Sequence, residues 1–171
     1  MRPDIDPILY VGIDIGLKRD TSAIVAIYDN GDKFHMWGLK IFTPPVNMIT
    51  QVEPVIERLL KGQRIAGLFY DPMQFETTRQ RLQEEGYGDR LVEVNQMTEM
   101  THACTTLQAL CEERGLLLCK DADLRSHFTR TAVKMTERGP RLVKASQAVP
   151  VDATVATAMA VLGATTSDSH T

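Results

Sequence analysis

The stretch Tyr10-Val11-Gly12-Ile13-Asp14-Ile15-Gly16 decides the fold, because from Leu9 onward apolar Leu9, Val11, Ile13 and Ile15 alternate with Tyr10, Gly12, Asp14 and Gly16. A period of two is the signature of a β-strand whose two faces meet different surroundings. Asp14 is a charge inside this otherwise apolar strand, and burying an unpaired carboxylate costs on the order of several kcal/mol, so it needs a partner. Two readings are open at this point: a hydrogen-bonded structural or turn aspartate, or a member of a polar site. Gly12 and Gly16, on the same face, have no side chains, which leaves room beside Asp14 for an ion and a substrate backbone.

Working outward, Thr21 to Tyr28 is a second β-rich run, and Asp29-Asn30-Gly31-Asp32 carries the Asn-Gly signal of a tight hairpin into a third strand over Lys33 to Phe42. The chain therefore opens as a three-stranded antiparallel meander. Thr43-Pro44-Pro45 breaks the pattern, and Val52, Val55, Ile56, Leu59 and Leu60 then recur at helical spacing up to Gly62, with Pro54 tolerated in the first turn. Ile65 to Tyr70 predicts a buried strand ending at Asp71-Pro72. A polar helix over Gln74 to Glu85, a short strand over Leu91 to Val94, a helix over Thr98 to Arg114, an apolar strand over Leu116 to Cys119 and a helix over Asp123 to Met135 follow. Gly139-Pro140 marks a turn between two basic arms, a small hairpin ending near Lys144. Asp152 to Leu162 predicts a last helix, with Ala153, Ala156 and Ala160 small and Val155, Met159 and Leu162 as its apolar stripe. A meander followed by alternating helices and strands specifies an α/β domain, a mixed sheet covered by helices. The expected organisation is a lead over residues 1–8, one domain over 9–164 and a disordered polar tail over 165–171.

The 171 residues, 43% hydrophobic and 24% charged, suffice for one substantial core. No run approaches the roughly 20 apolar residues of a membrane span, and Asp4 and Asp6 stand where a signal peptide carries positive charge. No membrane association is expected. The three cysteines lack Cys-x-x-Cys spacing and read as reduced core thiols rather than zinc ligands. The net charge of −3 argues against a protein that coats nucleic acid indiscriminately, yet the stretch Lys120 to Pro150 holds seven cations against three carboxylates.

Two further aspartates match Asp14 in placement. Asp71 closes a strand before a proline, which is an ordinary turn in isolation, but a strand pairing parallel to the first through a helical crossover would aim its terminal carboxylate at Asp14. Asp152 opens the last helix, where an N-cap is the plain alternative. A helix lined with alanines can lie close on the sheet and carry Asp152 to the other two. Asp20, at the opening of the second strand, reads as a turn or capping residue or as a further ligand. Carboxylates gathered in one partly dry site repel one another unless a cation is present. Hard oxygen ligands favour magnesium or manganese over zinc. Two such ions roughly 4 Å apart support in-line attack of water on a phosphodiester.

Val11-Gly12-Ile13-Asp14-Ile15-Gly16 with Asp20-Thr21-Ser22-Ala23, then Leu68-Phe69-Tyr70-Asp71-Pro72, and finally Val151-Asp152-Ala153-Thr154-Val155-Ala156 resemble the C-terminal nuclease domain of the large terminase subunit of tailed bacteriophages, of the ribonuclease-H-like superfamily. The likeness spans about residues 8 to 164. It implies that Asp14, Asp71 and Asp152 bind the catalytic metals, two Mg2+ or Mn2+ ions, with Asp20 at a further acidic position found near the metals in some members. It implies an endonuclease that cuts concatemeric viral DNA during genome packaging in the host cell cytoplasm. The implied partners are double-stranded DNA, the ATPase domain of the same large subunit, the portal and the small terminase subunit. No Gly-x-x-x-x-Gly-Lys-Ser/Thr phosphate loop occurs here, so the expectation is cutting without pumping, with the lead before Leu9 as the remnant of an interdomain linker.

Arg138, Arg141 and Lys144 are the expected DNA phosphate contacts, with Arg130 as a further candidate, because a hairpin preceding Asp152 would sit beside the site; a solvated basic surface is the alternative. Aromatic residues, 6% of the chain, do not interleave with these cations, so cleavage with little sequence preference is expected. Two rivals stand beside this reading. Gly12-Ile13-Asp14-Ile15-Gly16 also resembles the first phosphate loop of the sugar-kinase and actin-type ATPases, although that fold needs a second lobe. A catalytically inactive ribonuclease-H-like module that docks DNA or a partner would keep the basic stretch without needing three aspartates.

Overall fold

A computed structural model describes residues 6–146 and 149–167. The meander forms as expected: β1 (Ile8–Asp14) pairs antiparallel with β2 (Ser22–Asp29), which pairs antiparallel with β3 (Phe34–Phe42). Gly31 in the tight turn adopts φ +89°, which glycine takes without steric cost. A turn of π-helix (Met48–Val52) leads into α1 (Glu53–Gly62), with Pro54 in its first turn. The chain then returns as β4 (Arg64–Tyr70), parallel to β1, with Ile13 opposite Tyr70. After α2 (Glu76–Leu82) comes β5 (Leu91–Glu93), parallel to β4. α3 (Glu99–Glu112), the two-residue β6 (Leu116–Leu117, parallel to β3) and α4 (Ala122–Thr129) follow. The sheet has the order β5-β4-β1-β2-β3-β6.

Three expectations need correction. The helix expected over Asp123 to Met135 ends at Thr129, and β7 (Thr131–Thr136) takes its place, paired with β8 (Gly139–Lys144) in a separate two-stranded sheet. The hydroxyl of Thr131 donates to the carbonyl of His127, occupying a group that helix continuation would need, and the alternating Thr131-Ala132-Val133 run suits a strand. The last helix, α5 (Asp152–Ser167), continues beyond Leu162, so residues 165–167 are helical rather than a loose tail, and residues 168–171 lie outside the described residues. Cys111 is exposed, so only Cys104 is a fully buried core thiol.

Two apolar layers flank the sheet. Leu9, Val11 and Ile13 of β1 face α1 and α2, together with Ile56, Leu68 and Phe75. The opposite layer joins Ala23, Val25 and Ile27 of β2 to α3, α4 and α5. α5 is buried on nearly every side from Asp152 to Ala164, rather than along one stripe, because it lies between the sheet and the other two helices. Under α1, buried Glu53 accepts a hydrogen bond from Thr78 (2.7 Å) and pairs with Arg81 (2.8 Å), which gives its charge the partners burial demands.

Candidate active site

Gly12 sets the depth of the site. A Cβ built there would stand 1.8 Å from the carbonyl oxygen of Ala156 and 3.0 Å from the nitrogen of Ala160, so the space left by the missing side chain is filled by the backbone of α5. This corrects the expectation that Gly12 leaves room for an ion. Asp14, two residues further along the same face, consequently meets the N-terminus of α5, where Asp152 stands. Gly16 likewise makes room for its own loop: an added Cβ would meet the Asp20 Cβ and the Thr21 carbonyl, each at 2.7 Å. Ser22 closes the neck of that loop, its hydroxyl donating to the Gly16 carbonyl (2.8 Å) and accepting from the Gly16 N–H (3.0 Å).

The Asp14 and Asp152 side chains stand against one another, close enough to share a hydrogen bond when one of the two carboxyl groups carries a proton. Burial, foremost, and then the charges of Asp152, Asp71 and Asp20 push the Asp14 carboxyl well above its ordinary value. Asp152, 8% exposed, also accepts from the Thr21 hydroxyl. The first helical turn is closed by the Val151 carbonyl, which accepts from Thr154 and Val155. The Asp152 carboxylate thus reaches across the site to the Thr21 hydroxyl.

Asp71 follows β4 directly, one residue beyond Tyr70, which stands opposite Ile13 in the parallel register. One Asp71 oxygen accepts from the Met73 N–H (2.9 Å), the ordinary Asx turn, while its charge is felt by Asp14. Asp20 lies at the mouth, ion-paired with Lys144. Among the described residues, no three His, Cys, Asp or Glu side chains close into a ready-made metal cage.

His127 was not singled out from the sequence. It is 3% exposed, and its Nδ1 accepts the N–H of Ala153 at 3.0 Å, which fixes the proton on Nε2 and pins the start of α5 beside Asp152. Burial holds its basicity below the usual imidazole range, against the opposing pull of Asp152. Thr131, bonded to Thr154 at 3.0 Å, secures the same turn. No local signal could have found His127, because its partner lies 26 residues away.

The basic hairpin is docked over the N-terminal part of α3. The Arg141 guanidinium donates to the Gln96 carbonyl (2.7 Å), exposed Arg138 lies 3.2 Å from the Met97 sulfur, and Lys144 is held by Asp20. Arg130 is exposed at the junction of α4 and β7.

A mixed sheet in the order β5-β4-β1-β2-β3, with carboxylates gathered where antiparallel pairing on one side of β1 gives way to parallel pairing on the other, is the ribonuclease-H-like fold found in large-terminase nucleases. The similar solved structures include the large terminase of bacteriophage HK97 (TM-score 0.79, 17% identity, 95% of this chain and 40% of that one). The large terminase nuclease of thermophilic phage G20c also matches (TM-score 0.74, 15% identity, 93% and 82%), as does the same nuclease with bound magnesium (TM-score 0.72, 16% identity, 94% and 82%). No protein-family model and no curated protein matches the sequence. The chain spans 40% of the length of the HK97 protein, and at these identities the likeness is one of fold.

Proposed function

We propose that this chain is a metal-dependent endodeoxyribonuclease domain that hydrolyses phosphodiester bonds with little sequence specificity and cuts concatemeric viral DNA during genome packaging. The observation that carries the reading is that Asp14 at the end of the central strand stands against Asp152 at the start of α5, which the Thr21 hydroxyl holds, with Asp71 directly after the neighbouring parallel strand. Buried carboxylates whose charges oppose one another's ionisation are an arrangement that a cation relieves.

The donor set fits a hard divalent ion, Mg2+ or Mn2+: every candidate ligand is a carboxylate oxygen. Asp14, Asp71 and Asp152 would hold two such ions, with Asp20 as a further acidic group at the mouth. Bound there, the ions would activate a water and stabilise the leaving oxygen in an in-line displacement. The chain's own part is positional. Thr21 orients Asp152, and His127 and Thr131 fix the helix start that carries it. Magnesium in the G20c terminase nuclease structure supports the choice of ion. As a packaging nuclease the domain would act on double-stranded DNA in the host cell cytoplasm, alongside the ATPase domain of its large subunit, the portal and the small terminase subunit. Among the described residues no helix is long and apolar enough to cross a membrane.

A second reading, an inactive module that only docks DNA, draws on the lack, among the described residues, of a closed three-carboxylate cage. One experiment separates the two. Supercoiled plasmid incubated with the chain and manganese should be nicked and linearised, and both Asp14→Asn and a chelator should abolish cutting. DNA binding without any cutting would establish the inactive module, and cutting that survives both controls would overturn the proposed site.

A further inference from the structure

Asp14, Asp20, Asp71 and Asp152 gather negative charge where a phosphodiester would have to approach, and an anionic substrate needs fixed cations beside them. The hairpin supplies fewer than its composition suggests. Lys144 is paired with Asp20, Arg141 is bonded to Gln96, and Arg138 lies against Met97. Two cations stand elsewhere at the same mouth: Lys18 and Arg19, on the loop between β1 and β2. Both are exposed, and among the described residues neither has an ion pair or hydrogen bond.

The loop that carries them is not slack. Ser22 ties its neck to Gly16, the Leu17 carbonyl accepts from the Val46 N–H at 3.0 Å, Thr21 is bonded to Asp152, and Asp20 to Lys144. Lys18 and Arg19 are therefore held four and five residues beyond Asp14, between anchors on both sides, and two of those anchors are members of the acidic site or its rim. A prepositioned cation pair loses little freedom when it captures an anion.

We propose that Lys18 and Arg19 are the phosphate grip of this site, binding the backbone of the DNA strand next to the bond to be cut, an inference that rests on the nuclease reading above. The contact is to phosphate rather than to bases, which agrees with cleavage that ignores sequence. Lys144 plays the secondary role of steering Asp20.

The test is the salt dependence of duplex DNA binding, read by fluorescence anisotropy with calcium as the divalent ion. Wild type is compared with the double variant Lys18→Ala/Arg19→Ala and with Lys33→Ala, a cation at the β2–β3 turn on the opposite end of the sheet. Each phosphate contact contributes about 0.9 to the slope of log K against log salt, so the double variant should lose about 2 in slope and bind roughly tenfold or more weakly, while Lys33→Ala matches wild type. The thermal shift given by manganese should stay as in wild type, since no proposed ligand has changed. An unaltered slope overturns the inference. Should the alanine pair also lose its manganese shift, Lys18→Gln/Arg19→Gln, which keeps side-chain length, decides: a reduced slope with a normal shift upholds the grip, and a normal slope removes it. Wild type with no affinity for DNA would instead overturn the nuclease reading itself.

Discussion

Gly12→Ala puts one methyl group where the structure leaves none. The added Cβ would stand 1.8 Å from the Ala156 carbonyl oxygen, a backbone atom in the middle of a helix that cannot rotate away. Restoring van der Waals contact requires α5 or β1 to withdraw by roughly 1.5 Å. Overpacking of this kind costs about 1–3 kcal/mol, and the upper end applies because the obstruction is backbone on both sides. For a chain of this size about 3 kcal/mol corresponds to a Tm lower by roughly 6–12 °C. The same displacement carries Asp152 away from Asp14, and a misplacement near 1 Å at a reacting centre costs about a hundredfold in rate. Thermal melting by circular dichroism, with chelator and with manganese, together with plasmid nicking at a temperature where the variant is folded, measures both effects. Gly62→Ala is the companion: an added Cβ there meets nothing within 4 Å, and at the end of α1 it should stabilise by about 0.5 kcal/mol. A Gly12→Ala protein that melts within a degree or two of wild type and cuts at the same rate would refute the picture of α5 seated directly on β1.

Two further outcomes follow from the same site. In the metal-free protein the raised Asp14 carboxyl means that the folded chain keeps a proton the unfolded chain releases near its ordinary value of 3.8. The stability this confers is present in acid and declines as pH rises from that range through the raised value, because the unfolded state binds fewer protons there. Asp14→Asn should lack this decline, melting higher than wild type at neutral pH in chelator yet losing the stabilisation wild type gains from manganese; identical pH–Tm curves would show that the carboxylates do not converge. His127→Ala strands the N–H of Ala153, buried at the start of α5, at a cost of about 1–3 kcal/mol. His127→Asn, whose amide oxygen can accept in place of Nδ1, should recover part of both stability and cutting, and an alanine variant as stable as wild type would remove His127 from the site.

How much of this was legible along the chain depends on the distance over which each feature is specified. The meander followed from the two-residue alternation at Leu9 to Gly16 and the Asn-Gly turn, both local. Asp71 was legible as a neighbour of Asp14 because parallel strands linked by a helix bring their carboxyl ends together, and the register of Ile13 with Tyr70 delivers that. The strand β7 was misread as helix because Leu124 and Phe128, four residues apart, start a helical pattern, and only pairing with β8 selects the extended form beyond Thr129.

Gly12 was read correctly as a place of close approach and wrongly as to what approaches: the sequence cannot say whether a missing side chain admits an ion or a helix. The same limit applies to the cations. The composition of residues 120–150 announced a basic surface, but not that Lys144 pairs with Asp20 across 124 residues or that Arg141 donates to the Gln96 carbonyl. Lys18 and Arg19, unremarkable in a list of charges, are left exposed at the mouth. By itself the sequence determined the opening meander and most of the later elements and marked Asp14, Asp71 and Asp152 as candidates, since periodicity and residue type are local properties. Which carboxylates meet, which cation is engaged and which is exposed, and how deeply α5 seats were decided only by the tertiary structure, because burial and electrostatic coupling depend on neighbours that the fold brings together from distant parts of the chain.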